Sequence, residues 1–414
     1  MILRARVVLP VSQPPIENGA FEIIGGRIRR VGAWPELQST ARGPVVDLGE
    51  VMALPGLVNA HCHLDYTDMA GLLPPPKTFT DWIHLMIEVK AQWEHVEYER
   101  SWRHGARMLV ETGTTTVGDI EAVPELLPEA WNATPLRVFS FLEMTGIRAR
   151  REPRDILQEA LDKIASLRHP RCRAYLSPHA PYSTLTDLLR LTGRAARKKK
   201  LRVTTHVAES DQEYEMFVHA RGVMFEWLKR NERDMTDCGL GSPIAHMARA
   251  GMLGENFIAV HANTLGRGDA ALLGQSGAHV AHCPRSHDYF QHPRFWRQRL
   301  VNAGVNICLG TDSLASTRKN GRQLPVLSMF DEMRGLADNE PKLAPAEILR
   351  MATVNGARAL GLGGRIGELS RNACGDVIAI PFTGSSAKAI EAVVRFSGRV
   401  SASMIGGKWA VKPK

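Results

Sequence analysis

Between residues 54 and 366, short apolar runs alternate with longer segments whose apolar residues recur at helical spacing. The short runs read as strands and the longer ones as helices, the pattern of a parallel sheet with helical crossovers. Eight runs qualify: GLVNAHCH, TTTVGDI, LRVFSFLEM, RAYLSPH, RVTTHVAES, NFIAVHAN, AHVAHCP and VNICLGTDS. Eight such units predict an α/β fold closed into a (β/α)8 TIM barrel. The helical segments include DWIHLMIEVKAQW, YERSWRHGARMLVETG, PRDILQEALDKIASL, LTDLLRLTGRAARKKK and, late in the chain, APAEILRMATVNGARALGL. In the first, Trp82, Ile83, Met86, Ile87, Lys90 and Trp93 fall at helical spacing, and its apolar members form a core-facing stripe. Residues 209 to about 249 make the longest crossover and read as an elaborated helical loop.

The two ends have a different texture. Residues 1–53 carry β-rich runs (ARVVLPV, AFEIIGGRIRRVGAW, PVVDLGEVMALP) broken by Gly, Pro and Asn, which predicts a small antiparallel sheet. From Gly367 the same texture returns, with GDVIAIPF, KAIEAVVRFSGRV and SASMIGGKWAV as expected strands. One composite β-sandwich domain, residues 1–53 with 367–414, is therefore expected beside a barrel of residues 54–366.

Composition changes this picture little. A chain of 414 residues can bury a large core, and 44% hydrophobic with 23% charged residues is ordinary for a globular protein. The net charge of +9 invites a nucleic-acid reading, but the one dense basic run, Arg197 to Lys200, ends a helical segment and has no aromatic or Gly-rich companion. No nucleic-acid partner is expected, and the positive balance fits attraction of an anionic small molecule. Six scattered cysteines without a C-x-x-C pair, three of them in or beside apolar runs, suit a reducing compartment. No apolar run approaches a membrane span, and Arg4 and Arg6 interrupt the N-terminal apolar run, so a cytoplasmic protein without membrane association is expected.

Chemistry gathers at the strand ends. His61 and His63 close the first strand, His179 the fourth, His206 the fifth, His261 the sixth, His282 the seventh and Asp312 the eighth. Residues two apart on a strand share a face, so His61 and His63 can hold one metal ion while Cys62 points away. In an α/β barrel these ends converge on one face, where the active site sits. Imidazole and carboxylate donors suit Zn²⁺ or Fe²⁺, with one position left for water. By contrast, His246 and His279 read as structural.

The order H-x-H, then His206 followed three residues on by Glu209, then His261, then GTDS, resembles the mononuclear amidohydrolase superfamily. Within it the chain resembles the chlorohydrolase and nucleobase or nucleoside deaminase branch, typified by PGLVNAHTH, HAPYS, TH-x-x-E, HCP-x-S and GTDS. The likeness runs from about Pro55 to Gly361. It implies one divalent metal per chain, Zn²⁺ or Fe²⁺, held by His61, His63, His206 and Asp312. Because LSPHAPYS offers His179 and no Lys, it implies a single ion rather than a pair.

The same resemblance implies roles. The metal lowers the pKa of a bound water and makes hydroxide available for attack on the heterocycle. Asp312 accepts a proton from that water, Glu209 protonates the ring nitrogen and then helps ammonia leave, and His261 polarises the water. His179 contacts the heterocycle, Trp82 lines the pocket, and Arg148, Arg285, Ser286 and His287 are candidate substrate-binding residues. A homodimer is also implied.

The expected activity is hydrolytic deamination of an adenosine-derivative nucleoside, of the aminodeoxyfutalosine or S-adenosylhomocysteine type. The alternatives are a guanine-type free-base deaminase, a triazine chlorohydrolase, a cyclic amide hydrolase and, remotely, a non-catalytic metal-binding barrel. Two departures bear on the choice. Leu64, Asp65 and Tyr66 follow the H-x-H where relatives show Leu-Glu, and Glu88, the nearest acid for ribose hydroxyls, lies slightly out of register.

Overall fold

A computed structural model of the chain describes residues 1–414 apart from 41, 75, 148–150, 320 and 414. The N-terminal strands are β1 (Ile2–Val8), β2 (Ile16–Ile24), β3 (Arg27–Ala33), β4 (Val45–Asp47) and β5 (Val51–Pro55). Next come β6 (Leu57–Cys62), β7 (Thr114–Glu121), β8 (Arg137–Met144), β9 (Arg173–Pro178), β10 (Val203–Val207), β11 (Phe257–His261), β12 (His279–His282) and β13 (Asn306–Leu309). These pair in sequence order as a parallel sheet that curves into a barrel. Finally β14 (Val377–Pro381), β15 (Ala402–Ile405) and β16 (Lys408–Val411) join β1–β5 in a mixed sheet drawn from both termini.

The barrel interior is filled by alternate residues of its strands, including Val58, Phe139, Phe141, Ile258, Val260 and Cys308. Their neighbours, such as Leu57, Leu176, Val203, Phe257 and Leu309, face outward onto the helices. The helix Thr186–Lys199 ends in Arg197, Lys198 and Lys199, where cations meet the negative end of the helix dipole, and Lys200 caps it in the left-handed conformation. The dense basic run is thus a helix terminus.

Three sequence expectations are corrected here. The terminal sheet is not purely antiparallel, because β1 pairs in parallel with β4 and β5. The β2–β3 hairpin and the helix Trp34–Gln38 intervene, a connection long enough to return the chain in the same direction. KAIEAVVR forms the helix Ala389–Arg395 instead of a strand, with Ala389, Val393 and Val394 buried; a short apolar run suits either state and tertiary packing decides. APAEILRMATVNGARALGL divides into Pro345–Met351 and Val354–Ala359. The break falls where the Ala352 carbonyl accepts from Val58 N–H at 2.9 Å, so the floor of the barrel donates a bond to the helix end.

No helix among the described residues is long and apolar enough to cross a membrane.

Candidate active site

Alternation brings some of the strand-end residues inward and would turn others out. Glu143 continues the inward series of Phe139 and Phe141 on β8, and His206 lies opposite the outward Val203 and Val207 on β10. On β6, however, Val58 and Ala60 face inward, so strict alternation would point His61 out. Asn59 pairs with Val117 but Cys62 with Asp119, three residues against two on β7. This bulge reverses the faces: both histidines reach the interior and Cys62 packs outside it. A similar correction operates on β11, where Ile258 and Val260 are inward and His261 adopts φ 73°. Ala208, Ala262 and Asp312 also have positive φ. Such backbone is costly for residues with a Cβ and tends to collect at functional sites.

His61, His63, His206 and Asp312 each offer one ligand atom, all within 4.8 Å of one another and all buried. His61 Nε2 lies 3.4 Å and His63 Nε2 3.6 Å from Asp312 Oδ1, and the Nε2 atoms of His63 and His206 are 3.2 Å apart. His206 Nδ1–H donates to the His179 carbonyl at 2.9 Å, which leaves the Nε2 lone pair aimed at the cluster. Both ring nitrogens of His61 and Nδ1 of His63 are buried without a hydrogen-bond partner among the described residues. Burial, with the neighbouring His61 adding to it, holds His63 and His206 well below the usual imidazole range. Burial alone would raise Asp312, but the imidazoles of His61, His261 and His63 beside it outweigh that and keep the carboxylate ionised. Three imidazoles and one carboxylate, converging with orphaned ring nitrogens, fit a single divalent cation.

Beside this cluster, Glu209 Oε1 stands 3.3 Å from His261 Nε2. Burial first, and the Asp312 charge second, push the Glu209 carboxyl well above its usual range. Burial drives His261 down to about 3. A carboxyl shifted toward its protonated form therefore faces a neutral imidazole. Glu209 and His261 also come within 4.8 Å of Asp312, so the acid–base groups and the cation cluster meet at one carboxylate.

A cavity of about 220 Å³ opens above these groups. Its apolar wall includes Trp82, Ile83, Met86, Ile87 and Trp227, largely from the helix Phe79–Lys90. Phe290 meets Trp82 edge-on, with ring centroids 5.2 Å apart, and backs that wall. The polar wall includes His179, Tyr66, Lys90 and Glu143. Ser183 Oγ, 2.5 Å from His179 Nδ1, fixes the His179 ring. Tyr66 stacks on His63 at 5.2 Å and lies 2.5 Å from Lys90 Nζ.

The structure thus brings His61, His63, His206, Asp312, Glu209, His261, His179 and Trp82 together. It does not bring Arg285 or His287 to the cavity. The Arg285 guanidinium is bound by Glu332 at 2.5 Å and Asp331 at 3.5 Å, from the helix Met329–Asn339. His287 Nδ1 is 3.0 Å from Asn263 Oδ1. The loop after His282 thus packs against its own neighbours, and only Phe290 reaches the cavity wall. Arg148 lies outside the described residues. Ser286 is buried, Glu88 is exposed on the outer side of its helix, and His279 is occupied by Asn306 at 3.1 Å. Tyr66, Lys90, Glu143 and Trp227 were missed. Inward parity with Phe139 and Phe141 could have found Glu143; Trp227, in the long crossover, carries no local signal.

The amidohydrolase family profile matches residues 52–410. Over 387 residues, 88% of this chain and 80% of the relative's length, the sequence is 31% identical to a 5-methylthioadenosine/S-adenosylhomocysteine deaminase of Syntrophobacter fumaroxidans. The fold is similar to that of Helicobacter pylori aminofutalosine deaminase in complex with methylthio-coformycin, with a TM-score of 0.87 and 20% identity, covering 99% of this chain and 100% of that one. It is also similar to an adenosine deaminase from Xanthomonas campestris with bound zinc, with a TM-score of 0.83 and 22% identity, over 99% and 92% of the two chains.

Proposed function

This chain belongs to the amidohydrolase family, and from that premise we propose that it hydrolytically deaminates an adenosine-derived nucleoside at the purine amino group. The observation that carries the reading is Glu209 facing His261 at 3.3 Å beside the three-histidine, one-aspartate cluster, with burial shifting the Glu209 carboxyl toward its protonated form. His61, His63, His206 and Asp312 would hold a zinc ion, which when bound would supply Lewis-acid activation of the attacking water.

The chain's own groups then handle the protons. Asp312, kept ionised, accepts a proton from the water as its oxygen adds to the ring carbon bearing the amino group. Glu209 gives its carboxyl proton to the adjacent ring nitrogen. The proton on Asp312 passes to the amino group, the C–N bond breaks and ammonia leaves, while the remaining hydroxyl proton returns to Glu209 and the ring carbon becomes a carbonyl. His261, neutral and 3.3 Å from Glu209, orients the water. Its contact with Glu209 lacks hydrogen-bond alignment, so Nε2 is available to a group lying between them.

Substrate fit follows from the cavity walls. Trp82 offers a face for a flat heterocycle, and His179 hydrogen-bonds its edge. With Glu88 turned to solvent, Glu143 is the wall carboxylate available to accept from sugar hydroxyls, and Lys90 the donor beside it.

The test is ammonia release by metal-loaded protein from 5′-methylthioadenosine, S-adenosylhomocysteine, adenosine, guanine and an amino-triazine. Release from the adenosine class, with conversion to the 6-oxo product, is expected. Release confined to guanine or the triazine would overturn the reading.

A further inference from the structure

The turn carrying Glu209 is gripped from both sides. On one side Glu213 Oε2 accepts the Glu209 N–H at 2.8 Å. Ala208 sits at φ 53° without being glycine, so the turn is held in a conformation it would not choose alone. On the other side Asn263 Nδ2–H donates to the Glu209 carbonyl at 3.1 Å. With its amide nitrogen committed, Asn263 turns its oxygen to His287, whose Nδ1–H donates to it at 3.0 Å. Asn263 and His287 are both buried.

Asn263 is two residues beyond His261, across the left-handed pair His261 and Ala262. Its side chain thus ties the strand end presenting His261 to the turn presenting Glu209, the two groups that meet at 3.3 Å. His287 in turn anchors Asn263 to the helix Pro284–Tyr289. Phe290, at the end of that helix, packs on Trp82 and Phe79 with centroids 5.2 Å from each. Neither Asn263 nor His287 lines the cavity, and Phe290 meets it only through Trp82.

We propose that Asn263 and His287 are positioning residues: through two hydrogen bonds they set the Glu209 carboxyl against His261 for proton transfer. The inference rests on the reading of Glu209 as the proton donor. It assigns His287 a role in turnover without contact to substrate.

Two substitutions at His287 separate a hydrogen-bonding role from packing. His287→Leu keeps bulk but removes the donor; His287→Asn loses volume but keeps an N–H at the same reach. Displacing a catalytic group by about 1 Å costs on the order of 10²-fold. His287→Leu should therefore lower kcat by about that factor, with KM within about twofold of the parent. Metal content should not change in either variant. His287→Asn should recover most of the lost kcat. Full activity in His287→Leu, or a greater loss in His287→Asn, would overturn the proposal. Should His287→Leu fail to fold, Asn263→Asp removes the donor to the Glu209 carbonyl at constant size and should lower kcat in the same way; parental kcat in that variant overturns the proposal.

Crystal structures of the metal-loaded variants give an answer independent of turnover. The 3.3 Å separation of Glu209 and His261 should widen in His287→Leu and persist in His287→Asn. An unmoved Glu209 in His287→Leu overturns the positioning role. Absence of deamination by the parent protein alone would count against the function, and the pair of structures would still decide the positioning.

Discussion

Asn59 and Thr311 fasten the barrel shut directly beneath the metal cluster: Asn59 Nδ2 donates to Thr311 Oγ1 at 2.7 Å and Thr311 N–H donates to Asn59 Oδ1 at 3.1 Å. Backbone pairing between β6 and β13 is sparse there, with one bridge between Cys62 and Asp312 and one bond from Asp312 N–H to the His61 carbonyl at 3.1 Å. Gly310 allows this approach, since a Cβ there would lie 2.7 Å from the His61 carbonyl oxygen. The seam therefore fixes the distance between the H-x-H strand and Asp312. Asn59→Ala strands a buried hydroxyl and a buried amide, so it should cost about 2–3 kcal/mol of stability and weaken metal binding. Urea denaturation and metal titration check both, and unchanged metal affinity would sink the link between seam and site.

Glu209→Gln removes the proton but keeps the shape. Activity should fall by about 10²–10⁴-fold, the usual worth of general acid–base help, with metal retained. Parental turnover in this variant would remove Glu209 from the mechanism.

His61 and Cys62 are adjacent but face opposite ways, so their substitutions should separate. His61→Ala should lose metal by elemental analysis. Cys62→Ala should cost about 1–2 kcal/mol through lost packing and leave metal content intact. Metal loss in Cys62→Ala, with the fold preserved, would contradict the bulge-dependent assignment of faces.

Glu143→Gln keeps one acceptor oxygen but loses the charge. For an adenosine-derived riboside KM should rise by about 10-fold with kcat little changed, as for a lost uniform binding interaction. The 2′,3′-dideoxy analogue should respond much less. An equal KM rise for both substrates would place Glu143 against another part of the ligand.

His246 gives a pH dependence remote from the metal cluster. Burial, opposed by Asp237 and aided by Arg249 and Arg233, lowers its pKa to about 4. The folded state thus binds fewer protons than the unfolded chain between about pH 6.5 and 4, and stability rises with pH across that window. The contribution is complete above pH 6.5 and is lost as pH falls, by roughly 3 kcal/mol at most. In His246→Gln the slope of unfolding free energy against pH should flatten in that window. An unchanged slope would show that other groups set it.

The sequence by itself determined the barrel and the residues that converge at its strand ends. Apolar runs alternating with amphipathic segments leave few alternatives to a parallel sheet with helical crossovers, and strand ends in such a barrel converge. His61, His63, His206, Glu209, His261 and Asp312 were legible because each closes or follows a run whose direction is fixed by topology.

Tertiary structure alone decided how those ends are aimed and which groups complete the cavity. The bulge between Asn59 and Cys62 and the positive φ of His261 reverse faces that a period of two would assign, and no local pattern encodes them. Arg285 and His287 looked available to a ligand until Glu332 and Asn263 arrived from elsewhere in the chain to engage them. The IEAVV run became a helix for a like reason: its apolar residues suit either conformation, and the surface it covers selects one. Local pattern sets an element's type and approximate end, whereas a side chain's direction depends on partners distant in sequence.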